Sequence, residues 1–540
     1  MKPIKFRTKD ISRKGREPLV EIKNEDLMPL PYPYKDIEQQ PELKKLKDET
    51  ADRLECDLDG YMAIGIPRPQ SKVEEDELIE KFLSGLKKLL DKNDNWSFRQ
   101  PLLLSLENCA KCQACSEACH VFVGSGRQEI YRPTYRAEVL RRIINKYLKP
   151  GGSLKARLSG QDIELNWKLI ARLAESAYRC TICRHCTSSC PIGVDNGLVT
   201  REIRKLFSQE MGIAPIELHK SGSINQLKTG STSGMNRAAL MDTIEFMEDE
   251  IEEKTGRRIT VPVDIEGADI LLIHSAGEIL AWPENPEAFA ILFDAANISY
   301  TLSSELCAYD AANYGLFYDD VQLARVAQRQ VEAARKLKVK KIVIGECGPA
   351  HKAMAAVADR LLPNGLNIPR ESCLTTLLDI LEHKKIPLDP IRNDFPITLH
   401  DPCNIVRLMG IIQPQRKILH KIAPRFREMA PHGIENYCCG GGGGFSFISS
   451  TTFPQWQLSV SSRMKFKQIL EAFTKEELDN TDLPKYICAP CSNCKGTFRE
   501  MLSYYNATAR HNIYYGGLVE LIVNAMTDLE QPFIDWDEKF

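Results

Sequence analysis

Two tandem cysteine runs and one cysteine–glycine stretch carry the chemistry of this 540-residue chain. Cys109-x2-Cys112-x2-Cys115-x3-Cys119 recurs, starting sixty-one residues after Cys119, as Cys180-x2-Cys183-x2-Cys186-x3-Cys190, followed by Pro191. This is the iron–sulfur spacing in which the fourth cysteine of a run ligates the other cluster. The expected sets are Cys109, Cys112, Cys115 and Cys190 for one cluster, and Cys180, Cys183, Cys186 and Cys119 for the other. Two-residue gaps keep successive sulfurs converging on one face of a cubane, and the displaced fourth thiolate crosses to its neighbour. Paired zinc sites are the rival, and the repetition of the whole run argues against them. The first run ends in His120 where the second has Pro191.

The third feature is Tyr437-Cys438-Cys439 followed by Gly440 to Gly444, with Cys403 upstream and Cys488-Ala-Pro-Cys491-Ser-Asn-Cys494 downstream. Glycines lose more conformational entropy on ordering than any other residue and bring no side chain to a core. Such a run suits a backbone wrapped closely around a bulky group held by thiolates, which select zinc, copper(I) or iron–sulfur clusters. A phosphate loop would end in Lys-Ser/Thr, whereas Phe445-Ser446 follows here. A disulfide framework is uncommon in a large chain of reducing compartments, so the eighteen cysteines read as metal ligands.

The length allows two to four domains with sizeable cores. A net charge of −2 gives no electrostatic footprint for nucleic acid. No apolar run reaches the roughly 18–20 residues of a spanning helix, and the first residues lack the apolar core of a secretory signal. The expectation is a cytoplasmic protein without a membrane span. Residues 1–100 are polar and Pro-punctuated, with Lys2, Lys5, Arg7, Lys9, Arg13, Lys14 and Arg16 forming a basic, solvated arm. Met28 to Tyr34 is expected to be extended, and apolar spacing predicts a helix near Asp76–Leu90. Cys56 stands alone as an inert thiol. Helices are predicted at Tyr135–Leu148, Asn166–Ala174 and Leu198–Phe207. Residues 208–260 read as a connector, flexible at Ser221–Ser223 and Thr229–Gly234, with an acidic helix over Met241–Lys254.

From about 261 onwards the chain reads as a duplicated α/β unit. Buried strands ending in a histidine precede Ser275-Ala-Gly277 and Asp401-Pro-Cys403, and further strands precede Cys347 and Cys491. Cys307 aligns with the second cysteine of the Cys438-Cys439 pair. The first repeat keeps only Cys307 and Cys347, having Gly277, Leu306 and Ala350 at the other ligand places. It is therefore expected to form one wall of a shared cavity and to hold no cluster alone.

Cys403-x34-Cys438-Cys439-Gly440 followed by Cys491-x2-Cys494 resembles the cysteine-rich CCG domain, present twice in heterodisulfide reductase subunits. The spacing of the two earlier runs resembles the α-helical ferredoxin domain of succinate dehydrogenase-type and heterodisulfide reductase-type subunits. Ferredoxin ahead of paired CCG repeats is similar to HdrD-type, glycolate oxidase and DsrK-type iron–sulfur subunits. Asn313 to Arg325 and Gly345 to Lys352 look most like the DsrK branch. The resemblance implies an α plus α/β chain: a polar extension at 1–100, a two-cluster ferredoxin domain at 101–210, a linker at 211–260, a degenerate repeat at 261–390 and a second repeat at 391–540. It implies two [4Fe–4S] clusters in the ferredoxin domain and a special catalytic [4Fe–4S] cluster, cubane or non-cubane, in the second repeat. Cys403, Cys438, Cys439, Cys491 and Cys494 would serve that site, with Cys488 an additional candidate thiol. Electrons would come from a membrane cytochrome b (DsrM-like) oxidising menaquinol, and a disulfide or the trisulfide of a small DsrC-like sulfur carrier would be reduced. The chain would then lie peripherally on the cytoplasmic face of the inner membrane. HdrD-type heterodisulfide reduction, or electron transfer to a glycolate oxidase-like flavoenzyme, are the alternatives.

His400, flanking Cys403 together with Asp401, is the candidate proton donor to a departing thiolate. His400 is read equally as a turn histidine, with Asp401 bonding its own loop. Glu346 and His351 offer the same chemistry from the first repeat; Cys307 and Cys347 read as buried unreactive thiols, with a mixed disulfide the alternative. Cys373 lies outside every motif, and Tyr504, Tyr505, Tyr514 and Tyr515 read as packing.

Overall fold

Short runs of β-branched and aliphatic residues build two four-stranded parallel sheets in the C-terminal half. The first contains β1 (Ile270–Ile273), β2 (Tyr300–Thr301), β3 (Lys341–Ile344) and β4 (Arg370–Ser372). The second contains β5 (Ile397–Leu399), β6 (Phe426–Glu428), β7 (Lys485–Cys488) and β8 (Ile513–Gly516). Their orders, β2-β1-β3-β4 and β6-β5-β7-β8, are the same, and every pairing is parallel. In each sheet the order reverses between the first and third strands. Beyond the carboxyl ends of such a pair lies the crevice where open α/β sheets bind ligands.

The computed structural model describes residues 23–42, 65–67, 69–362, 368–452 and 455–536. The basic arm at 2–16 and Cys56 lie outside them. The helix expected near Asp76–Leu90 spans Lys72–Leu89, capped by Ser71, whose hydroxyl accepts from the Glu74 N–H at 3.2 Å. Around the cysteine runs, helices Pro133–Ile143, Trp167–Tyr178 and Asn196–Lys205 pack about Leu140, Leu169, Ile170, Ile203 and Phe207. Each such fully buried aliphatic or aromatic side chain contributes about 1.5–3 kcal/mol. Asn166 and Asp195 cap the second and third helices by accepting from Leu169 and Leu198 N–H at 2.9 and 2.8 Å.

The two sheets share one core. Leu272 and Val343 of the first pack in the same apolar cluster as Ile397, Leu399 and Tyr486 of the second, and helix Leu518–Asn524 joins them. The repeats are thus fused through their interiors.

The described part of the N-terminal extension packs on the rest of the chain: Tyr34 is buried among Phe466, Tyr505 and His511, and its hydroxyl donates to Tyr505 O at 2.7 Å. Met28 N–H reaches Gly124 O at 3.3 Å, so this stretch ties the ferredoxin region to the second repeat. One expectation is corrected: the connector is not loose. Thr232 gives both its N–H and its hydroxyl to Asp310 Oδ2 at 2.7 Å, and Ser223 and Ser231 are buried. The acidic stretch forms helix Arg237–Thr255, which buries Leu240, Ile244, Met247 and Ile251 against the first sheet.

Candidate metal–sulfur site

The two cysteine runs adopt the same backbone. Lys111 and Gln113 (φ +56° and +66°) flank Cys112, and Ile182 and Arg184 (φ +52° and +60°) flank Cys183. Left-handed conformations cost non-glycine residues roughly 1–2 kcal/mol each. Their recurrence at matched places turns successive sulfurs to one side. The Cys115 thiol is pushed up to about 12, chiefly by burial and then by Cys109, Cys190 and Cys112 beside it. The Cys186 thiol is also pushed up, by burial and by Cys183, Cys119 and Cys180. Cys119, Cys180, Cys183 and Cys186 line one small cavity with His120, Arg136 and Gly197. Buried His120 places Nδ1 3.8 Å from the Cys183 sulfur.

At the switch point of the second sheet Cys403, Cys438, Cys439, Cys491 and Cys494 gather. Cys438 lies within hydrogen-bonding reach of Cys183, Cys403 and Cys439; Cys439 reaches Cys494, and Cys494 reaches Cys491. Bonds from Cys438 pull the Cys183 and Cys439 thiols well below their ordinary value, while Cys438 and Cys494, the donors, are held well above it. A buried cluster of soft sulfurs is the donor set a metal–sulfur group requires once its thiols have lost their protons, and these residues fit one. The ferredoxin thiol Cys183 directly adjoins this set.

His400 brings a ligand-capable atom within 4.8 Å of those of Cys439 and Cys494. Its Nε2 is 3.3 Å from the Cys494 sulfur and its Nδ1 faces Asn436 Nδ2 at 3.4 Å. An amide NH2 at Nδ1 leaves the proton on Nε2, directed at sulfur. Burial pulls His400 down to about 4, so it is a neutral donor at physiological pH. Asn436 Oδ1 accepts from Lys465 Nζ at 2.7 Å, and burial brings this lysine down to about 7. Asp401 is committed elsewhere. It accepts from both Arg416 terminal nitrogens at 2.8 and 2.6 Å and from Gly433 N–H at 2.7 Å, which hold its carboxyl ionised.

The glycine run meets protein on every side. A Cβ on Gly442 would sit 2.8 Å from Thr181 O, and one on Gly443, whose φ is +67°, 3.0 Å from the Thr181 carbonyl carbon. These glycines seat the second repeat against the Cys180–Cys183 loop, a role the spacing did not announce. Arg204 staples the junction, donating to Gly443 O and Cys180 O, each at 2.6 Å. Arg407 donates to Cys183 O at 3.0 Å. Lys465, Arg204 and Arg407 carry no signal in the sequence, because a lone cation in a helix or turn has no spacing signature.

Other candidates are placed elsewhere. Cys488 is not brought to the thiol set: it faces the shared core with Tyr486, while Ile487 and Ala489 face the thiol side. Side chains alternate along a strand, so Cys488 points away from the site. The Cys307 thiol donates to Gln226 O at 3.2 Å, apart from the other sulfurs. His351 is spent on Cys347 O and Ser372 Oγ, both at 2.8 Å, and Glu346 accepts from Leu518 and Val519 N–H at 2.9 and 3.0 Å. Cys347 does approach the site: it bonds Ser492 and neighbours Cys491, whose sulfur accepts the Gly348 N–H at 3.3 Å.

A cleft of about 530 Å³ between the repeats reaches Cys347 and Ser492, with Ser275, Ser446 and Asn493 also in its lining and Trp282 and Tyr314 among its walls. Arg499 lies over the Trp282 ring at 5.5 Å. A larger cavity of about 830 Å³, which shares Trp282 and Arg499 with the cleft, has no cysteine in its lining. Among the described residues no helix is long and apolar enough to cross a membrane.

Comparison with known proteins matches residues 105–194 to a 4Fe-4S dicluster domain and residues 397–499 to a cysteine-rich domain. The chain is 26% identical, over 83% of its length and 83% of the relative's, to an Hdr-like menaquinol oxidoreductase iron-sulfur subunit 2 of Archaeoglobus fulgidus. It is 25% identical to one component of the dihydromethanophenazine:CoB--CoM heterodisulfide reductase of Methanosarcina acetivorans, over 72% of this chain and 88% of the relative. It is 21% identical to an EtfAB:quinone oxidoreductase of Syntrophomonas wolfei, over 73% of this chain and 54% of the relative. The chain is a ferredoxin-like dicluster domain followed by a CCG-type cysteine-rich domain, with [4Fe–4S] clusters supported in both regions.

Proposed function

We propose that this chain is the iron–sulfur subunit of an Hdr-like oxidoreductase, in which the thiols of the second repeat serve reduction of a sulfur–sulfur bond. The carrying observation is the contiguity of Cys183, Cys438, Cys439 and Cys494, which joins the last ferredoxin thiols to the C-terminal donor set. When bound, the clusters supply one-electron transfer, and the C-terminal one supplies an iron site for substrate sulfur. Cys109, Cys112, Cys115 and Cys190 are assigned to the first group and Cys119, Cys180, Cys183 and Cys186 to the second. Cys403, Cys438, Cys439, Cys491 and Cys494 are assigned to the third. More sulfurs than the four a cubane needs favour chemistry there over carriage alone. His400 presents its Nε2 proton to sulfur, and Asn436 and Lys465 fix its tautomer. The Asp401–Arg416 pair keeps the Cys403 loop rigid.

The finer assignment is a DsrK-type subunit: electrons from a menaquinol-oxidising cytochrome b, delivered to the trisulfide of a small carrier protein at the cytoplasmic face of the inner membrane. The relatives named for menaquinol and heterodisulfide support that direction. The domain division proposed is 1–100, 101–210, 211–260, 261–390 and 391–540.

Electron paramagnetic resonance of the oxidised, iron-loaded protein tests this reading. A paramagnetic species that appears only on adding a thiol is expected. Its absence, with co-purification of a flavoprotein, would transfer the chain to the electron-transfer class that its likeness to the EtfAB:quinone oxidoreductase also allows.

A further inference from the structure

The switch point of the first sheet is filled with carboxylates where the second has thiols. His274, Glu278, Glu346, Glu520 and Lys495 are all buried there. Glu346 is consumed as the cap of helix Leu518–Asn524, and Glu520 accepts from Gly517 N–H at 2.8 Å, Tyr486 Oη at 3.0 Å and Lys495 Nζ at 3.4 Å. Glu278 differs. One of its oxygens accepts the Ser275 N–H at 2.5 Å, while Oε1 has no partner among the described residues, nor has His274 Nδ1. Both orphan atoms border Gly345, whose Cβ would lie 2.9 Å from His274 Nδ1 and 3.4 Å from Glu278 Oε1.

From Glu278 a chain of adjoining polar side chains runs to the cleft. The carboxyl accepts the Ser275 N–H and Ser275 Oγ accepts the Glu278 N–H at 3.3 Å, Ser275 Oγ donates to Ser492 Oγ at 2.9 Å, and Ser492 lies beside the Cys347 thiol. Ser275, Ser492 and Cys347 all line the cleft, while Glu278 stands behind them. We propose that Glu278 is the proton reservoir of this cleft, passing its proton through Ser275, Ser492 and the Cys347 thiol, each of which hands on one proton as it takes one, to sulfur released beside Cys347.

The inference rests on the reading of sulfur–sulfur bond reduction. Cleaving R–S–S–R′ takes two electrons, from the reduced iron–sulfur groups, and two protons, and yields RSH and R′SH. Glu278 gives one proton, becomes a carboxylate and is reprotonated from water entering the cleft; the second proton comes from that water. The charged and titratable groups facing Glu278 are Lys495 from helix Ser492–Tyr504, Asp310 from the loop after β2, His274 from the end of β1, Glu346 and Cys347 from the loop after β3, and Cys373 from helix Cys373–His383. Burial holds the Glu278 carboxyl up at about 7, so it is available as an acid near neutrality. The competing role is structural, because Ser275 and Glu278 also form the capping box of helix Ala276–Ala281.

Redox-difference infrared spectroscopy of the iron-loaded protein, with stopped-flow reoxidation of the dithionite-reduced protein by hydroxyethyl disulfide in H2O and D2O, separates these roles. Expected are a carboxylic-acid band in the wild type that disappears in E278Q, and reoxidation slowed about 10²-fold in E278Q and S492A. S492A should keep the band, and reduction by dithionite should be unaffected in both variants. A band that persists in E278Q, or rates within about twofold of wild type, means a capping box only and overturns the proposal. If E278Q does not assemble, an unchanged rate in S492A overturns it equally. If wild type is inert to the disulfide while an E278Q-sensitive band is present, the sulfur reading falls and the reservoir stands.

Discussion

The two halves of the C-terminal region fold on the same sheet order and line the same crevice with opposite kinds of side chain. In the second, the loops after β5 and β7 deliver Cys403, Cys491 and Cys494, with neutral His400 donating to sulfur. In the first, the corresponding loops deliver Ser275 and Cys347, with Glu278 and neutral His274 behind them; burial pulls His274 down to about 3. A switch point guarantees a crevice. Its lining is decided by the few residues beyond each strand, which are soft thiols in one half and hydroxyls and carboxylates in the other. Because the copies share a core, the second kind of site is held rigidly against the first.

The sharpest break of this comparison is C439S set against C347S. The former is expected to lose the C-terminal cluster and all thiol-dependent paramagnetism, and the latter to keep its full iron content; iron analysis and electron paramagnetic resonance read both. H400Q should lower turnover or metal retention about 10–100-fold, the usual cost of removing a partner beyond the ligands themselves, because Cys494 loses its Nε2–H donor. A smaller effect is thermodynamic. An acid whose folded value is raised from 4.5 to about 7 makes stability fall as pH rises through that window, by up to about 3 kcal/mol above it. Urea titrations of wild type and E278Q from pH 4 to 8 should show this slope in the former and a flatter one in the latter. G443A should cost about 1–2 kcal/mol, from its left-handed backbone and its contact with Thr181. Least of all, A350C restores one cysteine to the first repeat and should add no iron, since Cys307 is turned away toward Gln226.

Much of the fold was legible in order and spacing. The strands at 270, 341, 397 and 485 and the helices around the cysteine runs follow from local apolar patterns, and the structure places each within a few residues of its expected span. The sulfur sets were legible because ligand spacing is a local property of a loop. Cys488 misled because a cysteine three residues before a ligand looks equivalent in sequence, while strand alternation sends it to the opposite face. The connector misled because Ser, Thr and Gly signal a loop but not whether a buried carboxylate such as Asp310 pins it.

By itself, the sequence determined which atoms are available to bind metal and in what local geometry, since two-residue gaps between cysteines act over a single turn of chain. Only tertiary structure decided that Cys183 meets Cys438, that the glycines seat one domain against another, and that Glu278 stands behind Ser275 and Ser492. Those contacts join residues up to hundreds of positions apart. They are set by the packing of a shared core and by the desolvation it imposes, which no local pattern records.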